Sequence, residues 1–71
     1  MLKKMQKEDP RIVRTRQLLK DALVELIHER GYEKIKVQDI TERATLNRAT
    51  FYLHYRDKFD LLCQSSEEIL N

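Results

Sequence analysis

The residues best suited to chemistry fall in one eleven-residue window, Thr45-Leu46-Asn47-Arg48-Ala49-Thr50-Phe51-Tyr52-Leu53-His54-Tyr55, with Lys58 just beyond it. The chemistry they suit is recognition rather than bond-making. Arg48 carries a guanidinium fork that can bond a guanine edge on two atoms, and Ala49 is small enough to let a backbone approach base edges. Thr50, Tyr52, His54 and Lys58 are donors of the kind that bridge to phosphates. Leu53 suits the methyl group of thymine. Singly, each has a plainer reading: a rim aromatic for Tyr52, a surface histidine for His54, an exposed leucine for Leu53, the start of a solvent-facing helix for Lys58. Together in one window they point to a major-groove reader.

Such a set must be carried on a short, rigid rod. Asn47 is a strong helix N-cap, because its side-chain oxygen accepts an otherwise unpaired amide of the first turn. Leu46 precedes the cap and Phe51 lies four positions after it, the spacing of a hydrophobic staple. A helix over about 47–55 is therefore predicted. At about 100° per residue, Phe51 and Tyr55 share its inner side, and Ala49, Thr50 and Leu53 lie opposite. The exposed N-terminus of this helix itself favours anions.

Upstream, Val37, Ile40 and Ala44 mark a second short helix over about Val37–Ala44. Ile35 and Val37 alternate with lysines as a strand would, but no partner strand is visible and a strand is rejected. Lys36 cannot accept a capping bond; Asp39, reaching back to the cap amide, is expected to compensate in part. A longer first helix begins at Pro10 behind Asp9 and ends at Gly31. Its predicted core face is Ile12, Leu19, Ala22, Leu23, Leu26 and Ile27. Arg30 is well placed against the negative helix end, and Tyr32 should fold back on the core. A fourth helix starts at Asp57 or Lys58, with an expected apolar stripe of Phe59, Leu62, Cys63 and Ile69 or Leu70. Cys63 is expected as a small buried hydrophobe, with a reactive thiol as the alternative. The organisation is thus all-α: a flexible arm (1–9), a three-helix bundle with a helix-turn-helix (10–56) and the start of helix four (57–71).

Composition narrows the field. The 71 residues make one small domain at most, with 37% charged residues, a 41% apolar share, one Gly and one Pro. Net charge is only +2 but uneven: seven Lys/Arg against two acids in residues 1–20, four against six in 21–46, three against one in 47–58, and none against three in 59–71. Positive charge collects at the N-terminal end and around the reading helix, so phosphate is attracted locally. Lys3, Lys4 and Lys7 can reach phosphates from the arm, which otherwise reads as a loose start. A single cysteine excludes an internal disulfide, and His28 and His54 add too few ligands for a zinc site. No nucleophile–base pair, Gly-rich phosphate loop or metal cluster is present, so neither an enzyme nor a cofactor is expected. No signal peptide or membrane span is visible, and a cytoplasmic setting is expected.

Leu19, Ala22, Leu26, Gly31-Tyr32, Val37-x-x-Ile40, Ala44, Leu46-Asn47-x-x-Thr50-Phe51-Tyr52, Tyr55 and Lys58-x-x-Leu61-Leu62 resemble the DNA-binding domain of the TetR family of bacterial transcriptional regulators. The resemblance covers about residues 11–63. It implies a three-helix DNA-binding head with the third helix reading the major groove. It also implies a fourth helix leading to a ligand-binding, dimerising domain. Family members are typically homodimeric repressors released from operator DNA by a small molecule. By position, Arg48, Ala49, Thr50 and Leu53 fall where members read bases. Tyr52, His54 and Lys58 fall where members grip phosphates, and Gln38 where some touch DNA. Lys36 stands where Thr or Ser usually caps the second helix; it weakens that cap and adds a candidate phosphate contact. Thr45 stands where a turn Gly is usual, so a positive φ there would be strained. Ala49 replaces a frequent Gly and firms the reading helix. The chain stops at Asn71 before any effector domain, so a fragment of a longer regulator is expected.

The leading expectation is a sequence-specific double-stranded DNA-binding head, with a homodimer and a small-molecule effector only in the full-length form. The alternative is a helical protein-interaction module using Leu53 and the Ile69-Leu70 end as a partner surface.

Overall fold

A computed structural model describes residues 9–70, with side chains over residues 9–65. Every regular element among them is helical: α1 (Pro10–Arg30), α2 (Val37–Ala44), α3 (Arg48–His54) and α4 (Lys58–Leu70), with a short 3₁₀ turn at Tyr32–Lys34. The expected arm lies, but for Asp9, outside the described residues, as do Lys3, Lys4 and Lys7 and the side chains of Ile69 and Leu70.

The helix ends follow from local chemistry. The Arg11 amide donates to the Asp9 carboxylate at 2.8 Å, and Pro10 takes the first helical position, where its missing N–H costs nothing. Gly31 ends α1 at φ 85° and ψ 150°, a conformation essentially reserved for glycine, and its amide donates to the Ile27 carbonyl at 2.9 Å. At α2 the Asp39 carboxylate accepts the Lys36 amide at 2.9 Å, the expected compensation for a cap residue that cannot accept. Thr45 closes α2 in the left-handed region, at φ 60° and ψ 45°. The usual turn glycine is therefore replaced at a position that does require positive φ, and the backbone is strained there. The Asp57 carboxylate opens α4 by accepting the Asp60 amide at 2.8 Å, and Asp60 in turn accepts the Arg56 amide at 2.8 Å.

One core joins all four helices: Leu19, Ala22, Leu23 and Leu26 from α1, Ile35 before α2, Ile40 from α2, Phe51 and Tyr55 from α3 and its end, and Leu61 from α4. Ile27, Tyr32, Val37, Ala44, Leu46 and Leu62 pack against its edge. Burial of each large apolar side chain here contributes about 1.5–3 kcal/mol. Thr41 is buried as well; its hydroxyl donates back to the Val37 and Gln38 carbonyls at 3.3 and 3.1 Å and so carries no unmet polar group inside. Outside the core, the Arg43 guanidinium ties α2 to α1 through Glu25 (3.1 Å) and Glu29 (2.7 Å), and Arg30 pairs with Asp39 at 3.3 Å.

Three expectations are corrected. Ile12 is exposed, because the buried face of α1 begins only at Leu19, about two turns further along the helix. Phe59 is 61% exposed and Cys63 is exposed, so neither belongs to the buried stripe of α4. That stripe is Leu61 and Ser65, with Leu62 at its edge. Apolar residues at 59, 61, 62 and 63 surround most of the helix circumference, and periodicity alone does not choose among them.

Candidate nucleic-acid interface

α3 is only seven residues long, and two devices hold it in place. The Asn47 side chain accepts the Ala49 amide at 2.7 Å, so the first turn is fixed. Phe51, fully buried, and Tyr55, nearly so, then pull one side of the rod into the core. Their rings lie 5.8 Å apart, and Tyr52 meets Phe51 edge-on at 5.2 Å. Leu46 packs at the edge of the core that Phe51 enters, in keeping with the staple spacing.

The other side of the rod faces out. Arg48 and Ala49 are exposed, Tyr52 is 50% exposed and Leu53 is 80% exposed, while Thr50 and His54 are half-buried along the borders. Leu53 is thus the most exposed of the large apolar side chains on the described residues and contributes little buried area to the core. Among the described residues Arg48 makes no ion pair and no side-chain hydrogen bond.

A shallow cleft runs along this rod. One wall is the start of α2 with Ile35, Lys36, Val37 and Gln38; the other is Arg48 and Tyr52 of α3, and Asp57 and Lys58 close its end. Five of the sequence-derived candidates, Lys36, Gln38, Arg48, Tyr52 and Lys58, thus come together from three helices. Ala49, Thr50, Leu53 and His54 do not line the cleft. Lys36 and Gln38 are exposed, and the Gln38 amide donates to Glu42 at 3.0 Å. Asp57 places a negative charge at the cleft, but its carboxylate is engaged in capping α4.

Lys58 is placed in a way its spacing did not reveal. Its ammonium donates to the Tyr32 and Ile35 carbonyls, both at 2.8 Å, and lies 4.3 Å from the centre of the Tyr32 ring. Burial, and next the nearby Asp57 carboxylate, push the Tyr32 hydroxyl above the usual tyrosine range. The acceptors on Lys58 are backbone carbonyls 26 and 23 residues away in sequence. No side-chain type marks such acceptors, so nothing in the sequence pattern announces them.

Comparison with known proteins agrees with this architecture. The sequence signature of the family described as bacterial regulatory proteins, tetR family, matches residues 19–64, which contain α2, α3 and the turn between them. The chain is also similar to the "uncharacterized HTH-type transcriptional regulator YxbF" of Bacillus subtilis (strain 168), with 44% identity over 55 residues. That match covers 76% of this chain and 14% of the relative, so the chain spans a small part of the relative's length. No solved structure matches significantly. With its signature over most of the bundle and its helix-turn-helix in place, the chain belongs to the tetR family of bacterial regulatory proteins.

Proposed function

We propose that this chain is the sequence-specific, double-stranded DNA-binding head of a transcriptional repressor, with α3 lying in the major groove. The observation that carries this reading is the two-sidedness of α3: Phe51 and Tyr55 buried on one side, Arg48 and Leu53 exposed on the other, beside a cleft that gathers further donors. In this reading Arg48 bonds a guanine edge, Ala49 allows close approach, and Thr50 and Leu53 meet bases, Leu53 through thymine methyl groups. Lys36, Gln38, Tyr52 and His54 grip phosphates on either side. Family membership supports DNA as the ligand. The full-length protein then acts as a homodimer in the cytoplasm, reading two half-sites and releasing them when a small molecule binds a further domain.

Selection of duplexes from a randomised pool, followed by titration of the selected sequence against a scrambled one, tests the reading. The expected result is a preferred sequence and an affinity that falls steeply with salt, by a log–log slope of about 0.9 per phosphate engaged. Equal affinity for selected and scrambled duplexes, or no dependence on salt, contradicts it. Arg48→Ala is expected to flatten the base preference at one position; an equal loss on every sequence assigns Arg48 to the backbone instead.

A further inference from the structure

We infer that Lys58 is a positioning residue for the reading surface: its ammonium locks the α1–α2 connection to the first turn of α4 and thereby fixes the cleft between α2 and α3. This deepens the DNA-binding reading and rests on it for its functional consequence.

A lysine that grips phosphate holds its charge out to solvent, as Lys36 does. Lys58 turns its charge onto its own backbone. An ammonium has three donors and no acceptor, and two of the three are taken by the Tyr32 and Ile35 carbonyls at 2.8 Å. The Tyr32 ring, 4.3 Å away, adds a cation–π contact. The two carbonyls bracket the connection between α1 and α2. Tyr32 opens the 3₁₀ turn, and its carbonyl also accepts the Ile35 amide at 3.2 Å. Ile35 directly precedes Lys36, the cap of α2, and its side chain is buried in the core. Tethering the Ile35 carbonyl therefore fixes the end of α2 that carries Lys36 and Gln38, the wall facing Arg48 and Tyr52.

The energetic consequence differs from that of a lost contact. With the tether gone, the α2 wall must be ordered when DNA binds, and that ordering is subtracted from the affinity. The number of phosphates neutralised does not change. A positioning lysine and a gripping lysine are thus separable by salt: the first shifts the whole titration, and the second changes its slope.

The test compares Lys58→Met and Lys36→Met with the unsubstituted full chain. Each is titrated with a mixed-sequence 20-base-pair duplex between 50 and 200 mM salt, and its thermal unfolding is recorded. We expect Lys58→Met to bind about threefold to tenfold more weakly at every salt concentration, with the parent's slope and a lowered Tm. Lys36→Met should keep its Tm and lose about 0.9 from the slope. A slope reduced by about 0.9 for Lys58→Met, with an unchanged Tm, overturns the inference and makes Lys58 a phosphate contact. If Lys58→Met does not fold, nitrogen-15 spectra of the Lys58 ammonium in the unsubstituted chain decide. A slowly exchanging signal that holds its position as DNA is added supports the lock, and a rapidly exchanging one, or one that moves with DNA, overturns it. Failure of the unsubstituted chain to bind any duplex defeats the DNA reading, while Tm and the ammonium spectrum still report on the lock.

Discussion

α2 and α3 are both short helices, eight and seven residues, and both bury apolar side chains, but only α2 is also tied down by ion pairs on its outer side. α2 is braced from outside: Arg43 clasps Glu25 and Glu29, and Asp39 is shared between Arg30 and the Lys36 amide. α3 is held from inside, by a buried Phe51 and Tyr55 and by one capping bond from Asn47. Two arginines make the contrast plain. Arg43 spends its guanidinium on the fold, and Arg48, five residues later, spends none of it among the described residues. A helix secured only through its apolar side leaves the polar atoms of its outer side for a ligand.

That contrast can be broken most severely at the aromatic anchor. Phe51→Ala removes a fully buried ring, and a loss of about 3–5 kcal/mol is expected. In a domain this small the expected outcome is a chain unfolded at room temperature by circular dichroism. Second in size is Gly31→Ala. No atom lies within 4 Å of the added carbon, so the penalty comes from the backbone at φ 85°, about 1–3 kcal/mol by urea denaturation. The turn that sets α3 against α2 gives the opposite sign. Thr45→Gly relieves the left-handed strain of a β-branched residue, less the entropy that glycine adds to the unfolded chain, for a net gain of about 0.5–1 kcal/mol. A loss at this position counts against strain in the turn.

The ionic brace of α2 is expected to be worth less than any of these. Arg43→Ala removes two surface pairs, and a small drop in Tm is expected in low salt and a smaller one in high salt. Acid probes this brace and the cap of α4. The hydrogen bond from Arg43 holds Glu29 below its ordinary 4.5, and the bond from the Arg56 amide holds Asp60 below its ordinary 3.8. A depressed folded-state pKa means fewer protons bound in the folded state. Its contribution is therefore complete above about pH 5 and is lost as pH falls through and below 4. Tm measured from pH 7 to pH 3 is expected to stay level and then decline over that window, with a shallower decline in Glu29→Gln.

Much of the candidate interface was legible because it rests on local rules. Asn47 caps, Leu46 and Phe51 staple, and a four-residue spacing sends Phe51 and Tyr55 to the same side. The positive φ at residue 45 was signalled only by the family resemblance, in which Gly is usual at that turn position. What periodicity could not supply was tertiary context. Ile12 continues the apolar spacing of α1 but is exposed, the buried face starting at Leu19. On α4, crowded apolar residues left the phase open, and the structure chose Leu61 over Phe59 and Cys63. The Glu25–Arg43–Glu29 clasp and the Lys58 tether join residues 14 to 26 positions apart, with partners that short-range patterning does not connect.

The central claim is that the outer side of α3 meets DNA, and titration of the nitrogen-15-labelled full chain with duplex DNA tests it most directly. Amide signals of Arg48–Leu53 and of Lys36–Gln38 are expected to shift together as DNA is added, while those of Glu25–Glu29 on the braced side of α1 stay in place. Shifts concentrated around Phe59 and Cys63 on α4, with α3 unmoved, contradict the account.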